Sequence, residues 1–136
     1  MLQLRLGTYS KNKRPTNDSL RIDSNKKHIK AGLNLFKFQD KDTHQWVLFI
    51  ESLDITSYGE TENKAQEMLK ETIHDYLQFL MSMTVKERDL ELNKLGWEHH
   101  KLHNKEYSKS YVDINGNLKD FNAVGDKVER LMLQTA

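Results

Sequence analysis

Three histidines stand together in this sequence, His99, His100 and His103, flanked by Glu98 and Glu106. On a helix, the four-residue step from His99 to His103 would put two imidazoles on one face, as zinc enzymes require. Gly96 is a helix stop just ahead of them, and no glutamate sits between them, so the four-ligand pattern is incomplete. The trio is a metal candidate only, and a polar connector is the preferred reading. His28, His44 and His74 are isolated and read as solvated surface residues.

Two stretches start like calcium loops and fail on detail. Asp40-Lys41-Asp42-Thr43-His44 has the first two ligands but neither the sixth-place glycine nor the closing glutamate. Asp113-Ile114-Asn115-Gly116-Asn117 carries its glycine at the fourth place. Both read as turns. No Gly-x-Ser-x-Gly elbow and no phosphate-cradling glycine loop occurs, and the chain has no Cys for a thiolate or a disulfide. No catalytic residue, no cofactor and no enzyme activity is therefore assigned.

Charge singles out two stretches. Lys11-Asn12-Lys13-Arg14 is a basic stretch whose Lys11, Lys13 and Arg14 are candidate nucleic-acid contacts, because phosphate charge dominates such affinity. Glu67, Glu71 and Asp75 recur every four residues and share a face of any helix over that region. A general acid–base pair would need burial to shift one pKa, so these carboxylates read as a solvated acidic face.

The whole chain has 136 residues and a formal net charge of +1. That average conceals an asymmetry. Residues 1–30 hold eight Lys or Arg against two Asp, a net of +6, and the remainder holds thirteen basic against eighteen acidic residues, a net of −5. The basic front either binds a polyanion or lies against the acidic helix of its own chain or of a partner. The length fits one domain over 1–136. No apolar run approaches the span of a bilayer and no signal peptide is visible, so a cytoplasmic protein without membrane contact is expected.

The elements that must position these groups follow from periodicity. Leu2, Leu4 and Leu6, then Leu20 and Ile22, alternate with polar residues, which predicts two strands forming a hairpin across the basic loop. Ile29, Ala31, Leu33 and Leu35 share a strand face, with Phe36 and Phe38 on the other and a bulge allowed near Leu35. Trp46–Ile50 is apolar on both faces and reads as a buried central strand. Leu53, Ile55 and Tyr58 suggest a short strand after it.

Ala65, Met68, Leu69, Ile73, Tyr76, Leu77 and Leu80 form one apolar helical stripe, with Thr61 as N-cap. The opposite face carries Glu67, Lys70, Glu71, Asp75 and Gln78. Thr84-Val85-Lys86-Glu87 has capping-box spacing for a second helix that ends at Leu95, with Gly96 and Trp97 completing the stop. The tail predicts a strand over 110–114, a hairpin turn at Asn115-Gly116 and a terminal helix over 122–133. The order β-β-β-β-β-α-α-β-β-α is α+β. It makes an antiparallel sheet of about four to six strands with two to three helices packed on one face.

The stretch Ile29–Leu80 resembles the HicB-like antitoxin domain. The resemblance rests on the paired segments Leu33–Phe38 and Trp46–Glu51 and a third strand in Ser52-Leu53-Asp54-Ile55-Thr56-Ser57-Tyr58. It continues in the turn Gly59-Glu60-Thr61, which opens an acidic amphipathic helix with the early Ala65. On this reading residues 29–83 are a β-β-β-α core, 1–28 an N-terminal basic hairpin extension and 84–136 a C-terminal one. Gly59 permits the backbone reversal, Glu60 favours the helix start and Thr61 caps it.

The family pattern places a further strand soon after the long helix; here a second helix and the histidine connector come first. Many members also carry a C-terminal helix-turn-helix or ribbon-helix-helix, for which the last fifty residues offer no run of helices. The resemblance implies a non-catalytic protein that binds a small basic ribonuclease toxin and covers its active site, as an antitoxin or a relative without a toxin, with Glu67, Glu71 and Asp75 as the candidate partner-binding face of the acidic helix. The alternatives are a nucleic-acid-binding protein using the basic N-terminal hairpin, and a homo-oligomer with no toxin partner. Exposed strand edges favour a homodimer.

Overall fold

The computed structural model describes residues 4–8, 18–23, 25, 27–99, 106–109 and 123–135. The order is β1 (Leu4–Thr8), β2 (Asp18–Asp23), β3 (His28–Gln39), β4 (Trp46–Ile50), β5 (Ile55–Gly59), α1 (Glu62–Ser82), α2 (Val85–Lys94), β6 (Glu98–His99), β7 (Glu106–Lys109) and β8 (Glu129–Thr135). The α+β expectation holds: the described strands form one antiparallel sheet and two α-helices pack with it.

β3 is the organising strand. Gly32 pairs with Ser19 of β2 and with Gln134 of β8, while Phe36 pairs with Phe49 of β4 and with Arg130 of β8. A residue has only two in-plane edges, so β2 and β4 share one edge of β3 in series and β8 runs along the other. The sheet path is β1-β8-β3-β2-β7-β6, and β4 and β5 branch from the second half of β3.

Alternation sorts the two faces. Leu20, Ile22, Ile29, Ala31, Leu33, Leu35, Leu48, Ile50, Leu131 and Leu133 all belong to one buried core. Ala65, Leu69, Ile73, Leu77 and Leu80 of α1 close it from above, five residues that recur at helical spacing and are each fully buried. Burial of each such leucine or isoleucine stabilises the fold by about 1.5–3 kcal/mol. Met68 drops out of the expected stripe and is exposed.

Both helix starts follow their sequence signals. Thr61 Oγ1 accepts the Lys64 amide at 3.2 Å. Thr84 and Glu87 exchange bonds in a full capping box. At the end of α2 the Trp97 amide donates to Leu92 O and the Gly96 amide to Asn93 O, with Gly96 at φ 93°. These are the two bonds of a Schellman stop. Trp97 is then buried, and its Nε1 donates to Ser52 O at 2.7 Å, which fastens the end of α2 to the short 3-10 turn after β4.

Three expectations are corrected. The first two strands do not form a hairpin: β1 pairs with β8, and β2 pairs with β3 and β7. The closing stretch is the strand β8, not a helix. Leu131 and Leu133 fit both periods, but an open slot between β1 and β3 satisfies their backbone as well as their side chains, and Gly125 at φ 62° breaks helical geometry upstream. No bulge occurs near Leu35, since the register with β8 is continuous from Gly32 to Lys37. Phe36 and Phe38 lie on the second face, which is itself covered at that end: both are buried. The expected strand over 110–114 and the turn at Asn115-Gly116 lie outside the described residues.

Candidate functional site

The turn singled out from the sequence joins β5 to α1. A Cβ on Gly59 would lie 2.5 Å from Ala65 N and 2.7 Å from Lys64 Cβ. Gly59 is therefore needed for close approach of the helix's first turn, and not for a left-handed backbone, since its φ is not positive. Ser57, fully buried, donates its hydroxyl to Ala65 O at 2.9 Å and locks the same junction. Glu60 is exposed and meets Lys64 Nζ at 3.5 Å.

This junction fixes the rotation of α1. With Ala65, Leu69 and Ile73 turned into the core, Glu67, Glu71 and Asp75 stand exposed on the outer side, as expected. Asp75 lies 3.6 Å from His74 Nδ1 and keeps most of its side chain in solvent.

The opposite face of the sheet is basic. Arg5 of β1, Arg21 of β2 and Lys30 of β3 alternate with the core residues Leu4 and Leu6, Leu20 and Ile22, and Ile29 and Ala31. All three therefore project away from α1, and all three are exposed. They ring an open cavity of about 470 Å³ whose lining includes Ser19, Gly32, Gln134 and Thr135, and across the next strand pair Arg21 stands opposite Glu106 of β7. Gly32 is its low floor: across the strands run Arg5, Gln134, Gly32 and Ser19 in register, with Arg21 opposite Lys30 in the next row. The sheet separates this cavity from the acidic helix face. These three cations of the basic front thus do not lie against the acidic helix of their own chain.

A second cavity, of about 610 Å³, opens beside Lys37 and Trp46. Lys37 Nζ lies 3.1 Å from Glu62 at the start of α1 and 3.1 Å from Glu129 of β8, and 5.8 Å from the Trp46 ring centre. Burial pushes the ammonium's pKa down, but the hydrogen bonds and charges of Glu129 and Glu62 outweigh it, and the net shift is upward. This cation is committed to a clamp between β3, α1 and β8. A charge on the core side of an otherwise apolar strand was the sequence signal for it, because buried charges must be paired.

The other candidates divide. Lys11, Lys13, Arg14, His100 and His103 lie outside the described residues. His99 falls in β6, opposite Tyr107, so it is not on a helix with the histidines that follow. Among the described residues no group of three His, Asp or Glu side chains is placed to hold a metal ion. Asp40 is a turn residue: its Oδ2 accepts the amides of Asp42 at 3.1 Å and Thr43 at 2.9 Å and the Thr43 hydroxyl at 3.0 Å. Also among the described residues, no helix is long and apolar enough to cross a membrane.

Comparison with known proteins finds no matching family model, no similar curated protein and no similar solved structure.

Proposed function

We propose that this chain is a cytoplasmic, non-catalytic, HicB-like binding protein. On this reading it is an antitoxin or antitoxin relative, whose acidic helix face docks a small basic ribonuclease toxin. One observation carries the reading. Glu67, Glu71 and Asp75 form an exposed carboxylate row on a helix whose other side is anchored in the core. A rigid row of one sign speeds encounter with a basic partner and suppresses acidic ones. The β3–β4–β5–α1 order, with Gly59 and Thr61 at the junction, supports the same reading. A homodimer belongs to it, through the edge of β5, which among the described residues pairs only with β4.

The experiment is co-expression with the product of a small basic reading frame beside the gene. Rescue of growth and co-purification are expected, with both lost in the Glu67→Lys, Glu71→Lys, Asp75→Lys variant. Failure of every neighbouring product to bind overturns the reading, as does equal binding by the charge-reversed variant.

A further inference from the structure

We propose that the cavity beside Lys37 and Trp46 binds a free α-amino acid with a large apolar side chain. The ligand's ammonium meets Glu62 and Glu129, its carboxylate meets Lys127, and its side chain lies against Trp46. The site is separate from the carboxylate row of α1, and it functions whether or not that row has a protein partner.

The cavity is an opening in the sheet. β8 pairs with β3 as far as Glu129 and Lys37. Upstream of Glu129 the chain stands away from β3, and it meets that strand again at the bridge between Ala123 and Asp40. Between these two closures Phe38 and Gln39 face Val124, Lys127 and Val128 across about 610 Å³. Small-ligand sites commonly enclose ~300–1,000 Å³. Both ends of the opening are anchored. Ala123 is fully buried, and Lys37 ties Glu129 and Glu62 together at 3.1 Å each. A ligand therefore enters without rebuilding the sheet, which lowers the cost of binding.

The charges around the opening are left partly unspent, and in both signs. Glu62 and Glu129 each meet Lys37 through Oε2, so one ammonium answers two carboxylates. The Oε1 atom of each has no hydrogen-bond or ion-pair partner among the described residues. A second ammonium balances that clamp. Lys127 has the opposite need. It lines the same cavity, is exposed, and its ammonium has no carboxylate partner among the described residues. Its backbone is extended, two residues before Glu129. The unspent cation and the unspent anion thus start roughly 7 Å apart along the chain, two steps of ~3.3 Å. A simple anion would face the two glutamates, and a simple cation would leave Lys127 without a partner. A small zwitterion satisfies both signs.

The other walls are apolar: Trp46, Phe38, Val124 and Val128. Trp46 is half-buried, and Val124 is 38% exposed and outside the core. An aromatic ring and branched side chains give a flat apolar surface to a large side chain. Glycine, which has no side chain, gains nothing from them.

Isothermal titration calorimetry of the full chain tests this with L-phenylalanine, L-leucine and glycine. Two half-ligands accompany them: L-phenylalaninamide, which lacks the carboxylate, and 3-phenylpropionate, which lacks the ammonium. Phenylalanine and leucine should bind and glycine should not. Each half-ligand should bind at least about tenfold more weakly than phenylalanine, the scale of one hydrogen bond to a charged group. Lys127→Ala should remove the preference for phenylalanine over its amide, and Glu129→Gln the preference over 3-phenylpropionate. Val124→Asp puts a charge on the apolar wall and should abolish binding. Lys127 and Val124 are exposed and outside the core, so these two variants fold. No binding of phenylalanine or leucine overturns the proposal, as does binding that Lys127→Ala and Val124→Asp leave unchanged. An amide that binds as tightly as phenylalanine reassigns the cavity to a peptide N-terminus and overturns the free amino acid. Equal binding of 3-phenylpropionate overturns the role of the glutamates, and equal binding of glycine overturns the role of the apolar wall. A failed toxin screen leaves all these outcomes readable, and a failed titration leaves the toxin screen readable.

Discussion

The Asp18 carboxylate accepts the backbone amide of Asn34 at 3.0 Å, and both residues are 7% exposed. The contact sits at the fork of the sheet. Between Gly32, the last partner of β2, and Phe36, the first partner of β4, no strand among the described residues pairs with that edge of β3. A buried amide there needs an acceptor, and Asp18 supplies it, while also taking the Asn34 side-chain amide. Replacement of Asp18 by Ala should cost about 1–3 kcal/mol, the penalty of an unsatisfied buried donor. Asp18→Asn keeps an acceptor oxygen and should cost less. Urea midpoints of the two variants check this; equal losses would mean that the amide finds another partner.

The junction at Gly59 gives a second outcome. Gly59→Ala puts a methyl group 2.5 Å from Ala65 N, and the obstacle is backbone, which cannot rotate away. A loss of about 1–3 kcal/mol is expected, typical of an overpacked site. Thermal unfolding measures it. A neutral result would show that α1 shifts freely against β5, and the orientation of its acidic row would then not be fixed.

Arg88 should prove the most sensitive residue of α2. It is 3% exposed, and its Nε donates to Leu80 O at 3.1 Å and its Nη2 to Met83 O at 3.4 Å. The last turn of α1 contains no basic residue of its own, so this guanidinium supplies the donors its end carbonyls lack. Arg88→Met retains bulk and removes those donors, for an expected loss of about 1.5–3 kcal/mol. Chemical denaturation of Arg88→Met beside Arg88→Lys separates donor loss from charge loss.

Alkali should destabilise the protein through two groups. Burial, with a smaller contribution from Glu91, pushes the Tyr76 hydroxyl up to about 12 from the ordinary 10.0. The folded state thus holds that proton more tightly than the unfolded state. Its stabilising effect is full below pH 10 and is lost as pH rises toward 12. Lys37 is raised from 10.5 and acts in the same sense, with its contribution lost above that value. Stability measured against pH should fall from about pH 10, and Tyr76→Phe should blunt the fall. Tyrosine absorbance in alkali should show one residue ionising late, and loss of that late phase in Tyr76→Phe identifies it.

Local structure was legible wherever a residue's neighbours in sequence are its neighbours in space. The caps at Thr61 and Thr84, the stop at Gly96-Trp97 and the core side of α1 all follow from spacing within a turn or two. Alternation likewise placed Arg5 and Arg21 on the polar side of their strands. It did not bring them together, because a strand's pattern states which face a residue takes and not which strand lies beside it. The wrong hairpin and the wrong terminal helix have that one cause: β8 slots between β1 and β3 from the far end of the chain. Leu131-Met132-Leu133 is compatible with either period until that slot exists.

By itself, then, the sequence determined α1 and α2 with their ends, the polar and apolar sides of the alternating strands and the charge of each segment. These are set by interactions between residues a few positions apart. Only the tertiary structure decided that Arg5, Arg21 and Lys30 meet over Gly32, that Lys37 is held between Glu62 and Glu129, and that the acidic row and the basic cavity lie on opposite sides of one sheet. Each of those depends on strand partners distant in the chain, and their choice rests on the total burial and hydrogen bonding of the sheet, which no local pattern encodes.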